Sequence, residues 1–144
     1  MPPKANKRKS RIVIDTNVLV AGVTGFREPF APGRNPSADI LHEWVGRNNF
    51  AWLVTEDILD EYKEVLKRLG VRSDRIGQLI NLLRERAEVI KVRSSPEISP
   101  DPGDDVFCLC AESGNAQFIV TLNPKGFPQA RLKAKVVPPG EFGM

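Results

Sequence analysis

The sequence predicts an α/β fold built on a mostly parallel central sheet of about five short strands. Two observations carry the prediction. Short apolar runs, most of them rich in Val and Ile, stand at 12–14, 50–54, 89–92, 118–120 and 135–137. They alternate with segments whose apolar residues recur every three or four positions. The first and fourth runs also end on a polar residue, Asp15 and Thr121. Open α/β sheets place their ligands at such positions, outside the carboxyl ends of the strands.

Taken in order, the chain opens with an arm, residues 1–10, too polar to pack and expected to be disordered. It carries much of the charge. Of the 21 basic residues five fall within the first eleven positions with no acid among them, which leaves 16 against 18 acids, so a net of +3 becomes −2 for the remainder. The arm reads equally as a salt-sensitive contact for nucleic acid phosphates or as a solubilising tail. Residues 11–144 form one domain, long enough to bury a core without staples.

Ile12, Val13 and Ile14 predict a buried strand. Asp15, Thr16 and Asn17 follow it and precede the apolar Val18 to Ala21, so these three either cap a helix or stand at a site. Gly25 to Pro36 holds three prolines and two glycines and is expected to be a long loop. Its Phe26, Phe30, Arg27 and Arg34 suit base stacking with phosphate contact, a partner's surface, or simple tucking of the loop onto the body.

A helix is predicted from Ser37 to about Gly46 on the spacing of Ile40, Leu41, Trp44 and Val45, with the single histidine, His42, facing solvent. The 50–54 strand leads through Thr55, a helix cap, into a helix to about Leu69. Its core face is Ile58, Tyr62, Val65, Leu66 and Leu69, and Glu61 is the acid nearest that stripe. Such a border acid either looks into a pocket or pairs with a neighbouring base on the surface. Ser73 to about Glu88 predicts a structural helix, and the 89–92 strand then runs into a Pro- and Ser-rich loop.

That loop delivers Asp101, Asp104 and Asp105 to the entrance of a helix apolar on every side from Val106 to Ala111. Capping explains one aspartate there. Adjacent carboxylates repel unless a cation or several donors offset them, and a divalent metal is the natural counter-ion. The two cysteines, Cys108 and Cys110, are two apart in this helix and point apart, as reduced core residues would. The 135–137 strand, stopped by two prolines, is expected at the sheet edge. No run approaches the roughly 20 apolar residues of a membrane span, nor does the basic N-terminus carry a secretion signal. A cytoplasmic protein with no membrane partner is the expectation.

Four motifs in register resemble the PIN domain nucleases: Ile-Val-Ile-Asp-Thr-Asn-Val-Leu at 12–19, the Ile58 to Leu66 helix, Asp-Pro-Gly-Asp-Asp-Val-Phe at 101–107, and Ile-Val-Thr-Leu-Asn-Pro-Lys-Gly-Phe-Pro at 119–128. The likeness runs from Arg11 to Phe142. It is nearest to the bacterial and archaeal group described as toxins of toxin-antitoxin pairs. The resemblance implies a three-layer α/β/α sandwich and an endoribonuclease acting on single-stranded or structured RNA, with one or two Mg²⁺ or Mn²⁺ ions as cofactor.

Carried over position by position, Asp15, Glu61 and Asp104 match the three acids of the family site, and Asp105 stands beside the third. Asp104 is preferred to Asp105 because it precedes Phe107 by three residues. Asp15 and Asp104 are the expected metal ligands, and Thr16, Asn17, Thr121 and Asn123 the polar groups that orient acids or water. Lys125, Arg27 and Arg34 are the expected nucleic-acid contacts. The chain departs from the pattern where Asn123 replaces an aspartate seen in many members and Gly126 stands where others have an acid, which bears on a second ion. An antitoxin and a homodimer are the partners implied besides RNA. Oxygen ligands of this kind hold a hard cation that activates water for in-line attack on a phosphodiester.

Two other readings remain. One is a catalytically weak PIN module that binds RNA or protein. The other is a haloacid-dehalogenase-like phosphatase, which shares the strand ending in Asp but requires an acid where Asn17 stands.

Overall fold

β1, Ser10–Ile14, is the middle strand of the sheet, and Ile12, Val13 and Ile14 are all wholly buried. Successive strand residues point to opposite faces, so three in a row without exposure require cover on both sides. The computed structural model describes residues 9–25, 35–92 and 97–142. The remaining elements are α1 (Thr16–Gly25), α2 (Pro36–Arg47), β2 (Phe50–Val54), α3 (Glu56–Arg68), α4 (Ser73–Arg86), β3 (Glu88–Val89), α5 (Pro102–Ser113), β4 (Phe118–Val120) and β5 (Lys135–Val137). Together they make a three-layer α/β/α sandwich.

All strands are parallel, in the order β3-β2-β1-β4-β5. The chain therefore builds outward from β1 in one direction through β2 and β3, then returns to add β4 and β5 on the other side. The reversal lies between β1 and β4, where Ile14 pairs with Val120. A crevice opens at such a switch point because the connections leaving the two strands diverge to opposite faces.

Aromatic packing ties the helices to the sheet. Trp44 of α2 meets Trp52 of β2 edge-on at 4.8 Å, and Tyr62 of α3 lies between Trp52 and Phe107 of α5, 6.3 Å from each. The Tyr62 hydroxyl donates to the Ile14 carbonyl, fixing α3 against the last residue of β1. Burial holds this phenol well above its ordinary pKa, so it remains a donor. Asn35 and Thr55 cap α2 and α3 through Ala38 N and Ile58 N, as those residue types do.

Three expectations are corrected. β3 is Glu88–Val89, two exposed residues, rather than 89–92; just past it Ile90 N donates to Val54 O at 2.7 Å. Leu69, expected on the core face of α3, is 59% exposed: the helix ends at Arg68, and Leu69 occupies its C-cap. His42 is half-buried rather than solvent-facing, since α2 packs against α1 and also against the turn at Pro139–Glu141. Cys108 and Cys110 are buried free thiols, each pushed up to about 12 with burial as the largest cause. The 1–8 part of the arm and residues 26–34 of the long loop, with Phe26, Arg27, Phe30 and Arg34, lie outside the described residues. No described helix is long and apolar enough to cross a membrane.

Candidate active site

Asp15 sits where β1 gives way to α1, on the β1/β4 crevice, and is 8% exposed. Its two oxygens are held from different sides. Oδ1 accepts the Thr16 N–H at 2.7 Å, and Oδ2 accepts the Thr121 hydroxyl at 2.7 Å from the end of β4. Burial pushes this carboxyl above the ordinary carboxylate range; the bonds from Thr121 and Thr16 pull it down, and the charge of Asp101 adds to the rise.

Polar residues around Asp15 form one network. Thr121 is fully buried, and its hydroxyl oxygen accepts from Asn123 N at 3.1 Å and from Asn17 Nδ2 at 3.5 Å. Asn17 Oδ1 accepts Leu122 N–H at 3.2 Å. Asn17 thus latches the start of α1 to the segment leaving β4. Asn123 folds its amide over Gly126: a Cβ at 126 would come within 2.8 Å of Asn123 Nδ2. Lys125 is exposed on the short 3-10 turn Pro124–Gly126.

The second acid comes from α5. Asp104, in the first turn, is half-buried and lines the same cleft as Asp15. Its carboxyl is also raised, by burial first and then by the charges of Asp101 and Asp15. Asp101 caps the helix by accepting Gly103 N–H at 2.9 Å, yet its charge is felt at both other aspartates. Its capping role masked it in the sequence; the signal available was its place in the same run of aspartates.

Asp105 turns elsewhere. Its Oδ1 accepts the N–H groups of Ile98 at 2.7 Å and Ser99 at 2.9 Å, pinning the incoming loop to the helix entrance. Glu61 is half-buried on α3. It does not line the cleft that Asp15 and Asp104 share, and among the described residues no three His, Cys, Asp or Glu stand close enough to hold a metal ion together. The fold therefore gathers Asp15 and Asp104 in one cleft and leaves Glu61 and Asp105 out of that pair.

The cleft is open, with a volume of about 550 Å³. Thr16 borders it, and the Thr16 hydroxyl is buried with no hydrogen-bond partner, an arrangement that costs free energy unless an incoming group meets it. A separate apolar cavity of about 530 Å³ lies among Leu41, Trp44, Ile76 and Leu79, and no predicted site residue borders it.

These residues fit a hard divalent cation. Two carboxylates raised by burial and crowding are relieved by positive charge, and each Asp15 oxygen accepts only one bond, so lone pairs remain. Mg²⁺ keeps several of its waters and is commonly bound through one or two carboxylates together with substrate phosphates. Two acids and an unsatisfied hydroxyl meet that need, whereas no all-protein cage is assembled among the described residues.

An all-parallel α/β domain with a buried aspartate at its switch point, faced by a second aspartate on a helix entrance, belongs to the class of acid-centred α/β folds. The family follows from comparison: the model of the PIN domain matches residues 11–125, and the chain is a member of the PIN domain family. Among solved structures it is similar to VapBC2 from Rickettsia felis, crystallised bound to a DNA fragment from its promoter, with a TM-score of 0.56 and 13% sequence identity. That likeness covers 88% of this chain and 96% of the other, and concerns the fold. No curated protein matches the sequence.

Proposed function

We propose that the chain is a Mg²⁺- or Mn²⁺-dependent endoribonuclease, with Asp15 and Asp104 as the ion's protein ligands. The observation that carries this reading is the convergence of these two carboxylates on one cleft at the β1/β4 crevice. Asp15 and Asp104 would hold such an ion, which would supply a nucleophile from water and offset charge developing on the phosphoryl oxygens. Asp15, clamped by Thr16 N–H and the Thr121 hydroxyl, keeps its orientation as substrate enters. Thr121 is fixed in turn by Asn17 and Asn123 N–H. Asp105 and Asp101 hold the loop and the first turn that present Asp104. Glu61 is the further acid that the family resemblance assigns to the reaction, and Lys125, Arg27 and Arg34 are the residues it assigns to phosphates along the RNA.

The fold shared with VapBC2 supports an antitoxin as the protein partner; a homodimer as the assembly is what the family resemblance implies, and action in the cytoplasm is part of the same proposal. A second reading, a PIN module that binds RNA without cutting it, is favoured by one observation: no described trio of acids forms a ready ion cage.

Cleavage of single-stranded RNA by the purified chain decides between them. The nuclease reading expects activity with Mn²⁺ or Mg²⁺, none with chelator, and none from Asp15→Asn or Asp104→Asn. RNA binding without metal-dependent cleavage rejects it in favour of the binding module.

A further inference from the structure

The peptide link that leads into Asp15 is held at both of its polar ends. Its N–H, on Asp15, donates to Val120 O at 2.9 Å across the β1/β4 pairing. Its carbonyl, on Ile14, accepts the hydroxyl of Tyr62 from α3. Pairing of β1 with β2 runs from Ser10 to Val13, so the phenol takes up the carbonyl one residue beyond that register. A planar peptide tied at one end can still rock about the line joining its two Cα atoms, and the rocking swings the side chain that follows. Tied at both ends, it cannot.

The same side chain reaches toward the second carboxylate. The Tyr62 ring lies 6.3 Å from that of Phe107, tilted by 34°. Phe107 is three residues beyond Asp104 on α5, hence on the same side of that helix. Both rings are buried, and close packing leaves the turn between Asp104 and Phe107 little room to shift. Tyr62 thus touches the strand end that carries Asp15 and the helix that carries Asp104. A buried tyrosine needs an acceptor for its hydroxyl, and many carbonyls would serve; the one taken here belongs to the peptide unit of Asp15 itself.

Resting on the reading of Asp15 and Asp104 as the ion's protein ligands, we infer that Tyr62 is a positioning residue for that site: its hydroxyl fixes the Asp15 backbone, and its ring sets where the first turn of α5 brings Asp104. It governs the spacing of the two carboxylates, and ion affinity depends on support of this kind behind the ligands.

The test is the Mn²⁺ affinity of the full chain by titration calorimetry, read beside Tm. Tyr62→Phe keeps the ring and removes only the donor, and it should weaken Mn²⁺ binding by about tenfold. Leu83→Ala changes a wholly buried position on α4 that does not line the cleft; it should lower Tm at least as far and leave the affinity unchanged. Replacing Tyr62 by 4-aminophenylalanine, which offers an N–H where the hydroxyl stood, should restore most of the affinity. Phe107→Leu keeps the hydroxyl's bond and loosens the ring contact, so it should weaken Mn²⁺ binding by itself, and it carries the test if Tyr62→Phe does not fold.

Wild-type affinity in folded Tyr62→Phe, or in Phe107→Leu where that is the variant that folds, overturns the inference and leaves the ion site standing. So does a loss that Leu83→Ala reproduces in proportion to its fall in Tm, because core stability alone then accounts for it. A wild type that binds no Mn²⁺ overturns the inference together with the proposed function. One that binds Mn²⁺, is weakened by Tyr62→Phe and does not cut RNA keeps the positioning role and loses the nuclease.

Discussion

The Thr121 hydroxyl donates to Asp15 Oδ2 at 2.7 Å and joins residues 106 positions apart at the ends of adjacent strands. Thr121 is fully buried and Asp15 nearly so, hence the bond is shielded from water and charge-assisted. Thr121→Val removes the donor, and it also strips the acceptor from Asn123 N–H. The expected cost is about 1.5–3 kcal/mol in urea unfolding. Since this bond pulls the Asp15 carboxyl down against burial, its loss should move the acidic limb of the pH–rate profile to higher pH. Thr121→Ser keeps the hydroxyl and should return both quantities toward wild type; superimposable profiles for all three proteins would sink the argument.

Asp104 gives a prediction of opposite sign for stability. The carboxyls of Asp15 and Asp104 both lie above their ordinary value of 3.8 in the folded chain. The stability linked to them is therefore fully present below that value and is lost as pH rises through the folded ones. Without divalent ions, Asp104→Asn should raise Tm at neutral pH, with the gain vanishing as the solution is acidified below about pH 4. Adding Mn²⁺ should raise the Tm of the wild type and leave that of the variant nearly unmoved, because only the former binds the ion in its folded state. A variant less stable than wild type at neutral pH would show that Asp104 is satisfied by the fold itself.

Asp105, one residue on, should behave differently. Its carboxylate serves Ile98 N–H and Ser99 N–H rather than the cleft. Asp105→Ala should cost about 1.5–3 kcal/mol and expose the 97–101 segment to proteolysis. At a temperature where the variant is still folded, its Mn²⁺ affinity should stay close to wild type. Loss of ion binding with unchanged stability would place Asp105 among the ion's ligands. The contrast between neighbours is sharp enough to be read from two melting curves.

How far the sequence foretold this arrangement depends on what each residue's role needs. β2 and β4 have the bounds expected of them because parallel strands covered on both faces read as unbroken apolar runs; β5, at the sheet edge and opening on exposed Lys135, also has its expected bounds, set by the two prolines that follow. β3 is an edge strand with both residues exposed, so its extent is set by pairing to Val54, which no local pattern encodes. The Asp15–Thr121 meeting was legible from two strand ends and a parallel topology alone. Asp104 was preferred to Asp105 by resemblance; that Asp105 bonds Ile98 and Ser99 was not legible, because it turns on where the loop carrying them folds back. Glu61 was placed by helical angle, which sets a face but not the reach of a side chain. Leu69 was placed by the same periodicity, and the helix stopped one residue before it could apply.

The last prediction concerns Thr16, whose N–H is used and whose hydroxyl is not. The N–H donates to Asp15 Oδ1 at 2.7 Å, while the buried Oγ1 has no partner. Thr16 is the first residue of α1, so no preceding helical turn restricts its χ1 and the hydroxyl can turn toward the cleft it borders. Thr16→Val keeps the shape and removes the orphan oxygen, which should stabilise the chain by about 1 kcal/mol. If the hydroxyl meets the group bound between Asp15 and Asp104, the same change should lower kcat by about tenfold with KM little changed. Thr16→Ser should keep most of the activity. Stability and turnover then move in opposite directions in one variant, as expected where a fold leaves a polar group unsatisfied for its ligand. Unchanged turnover in Thr16→Val, with the gain in stability present, would reduce Thr16 to a backbone donor for Asp15.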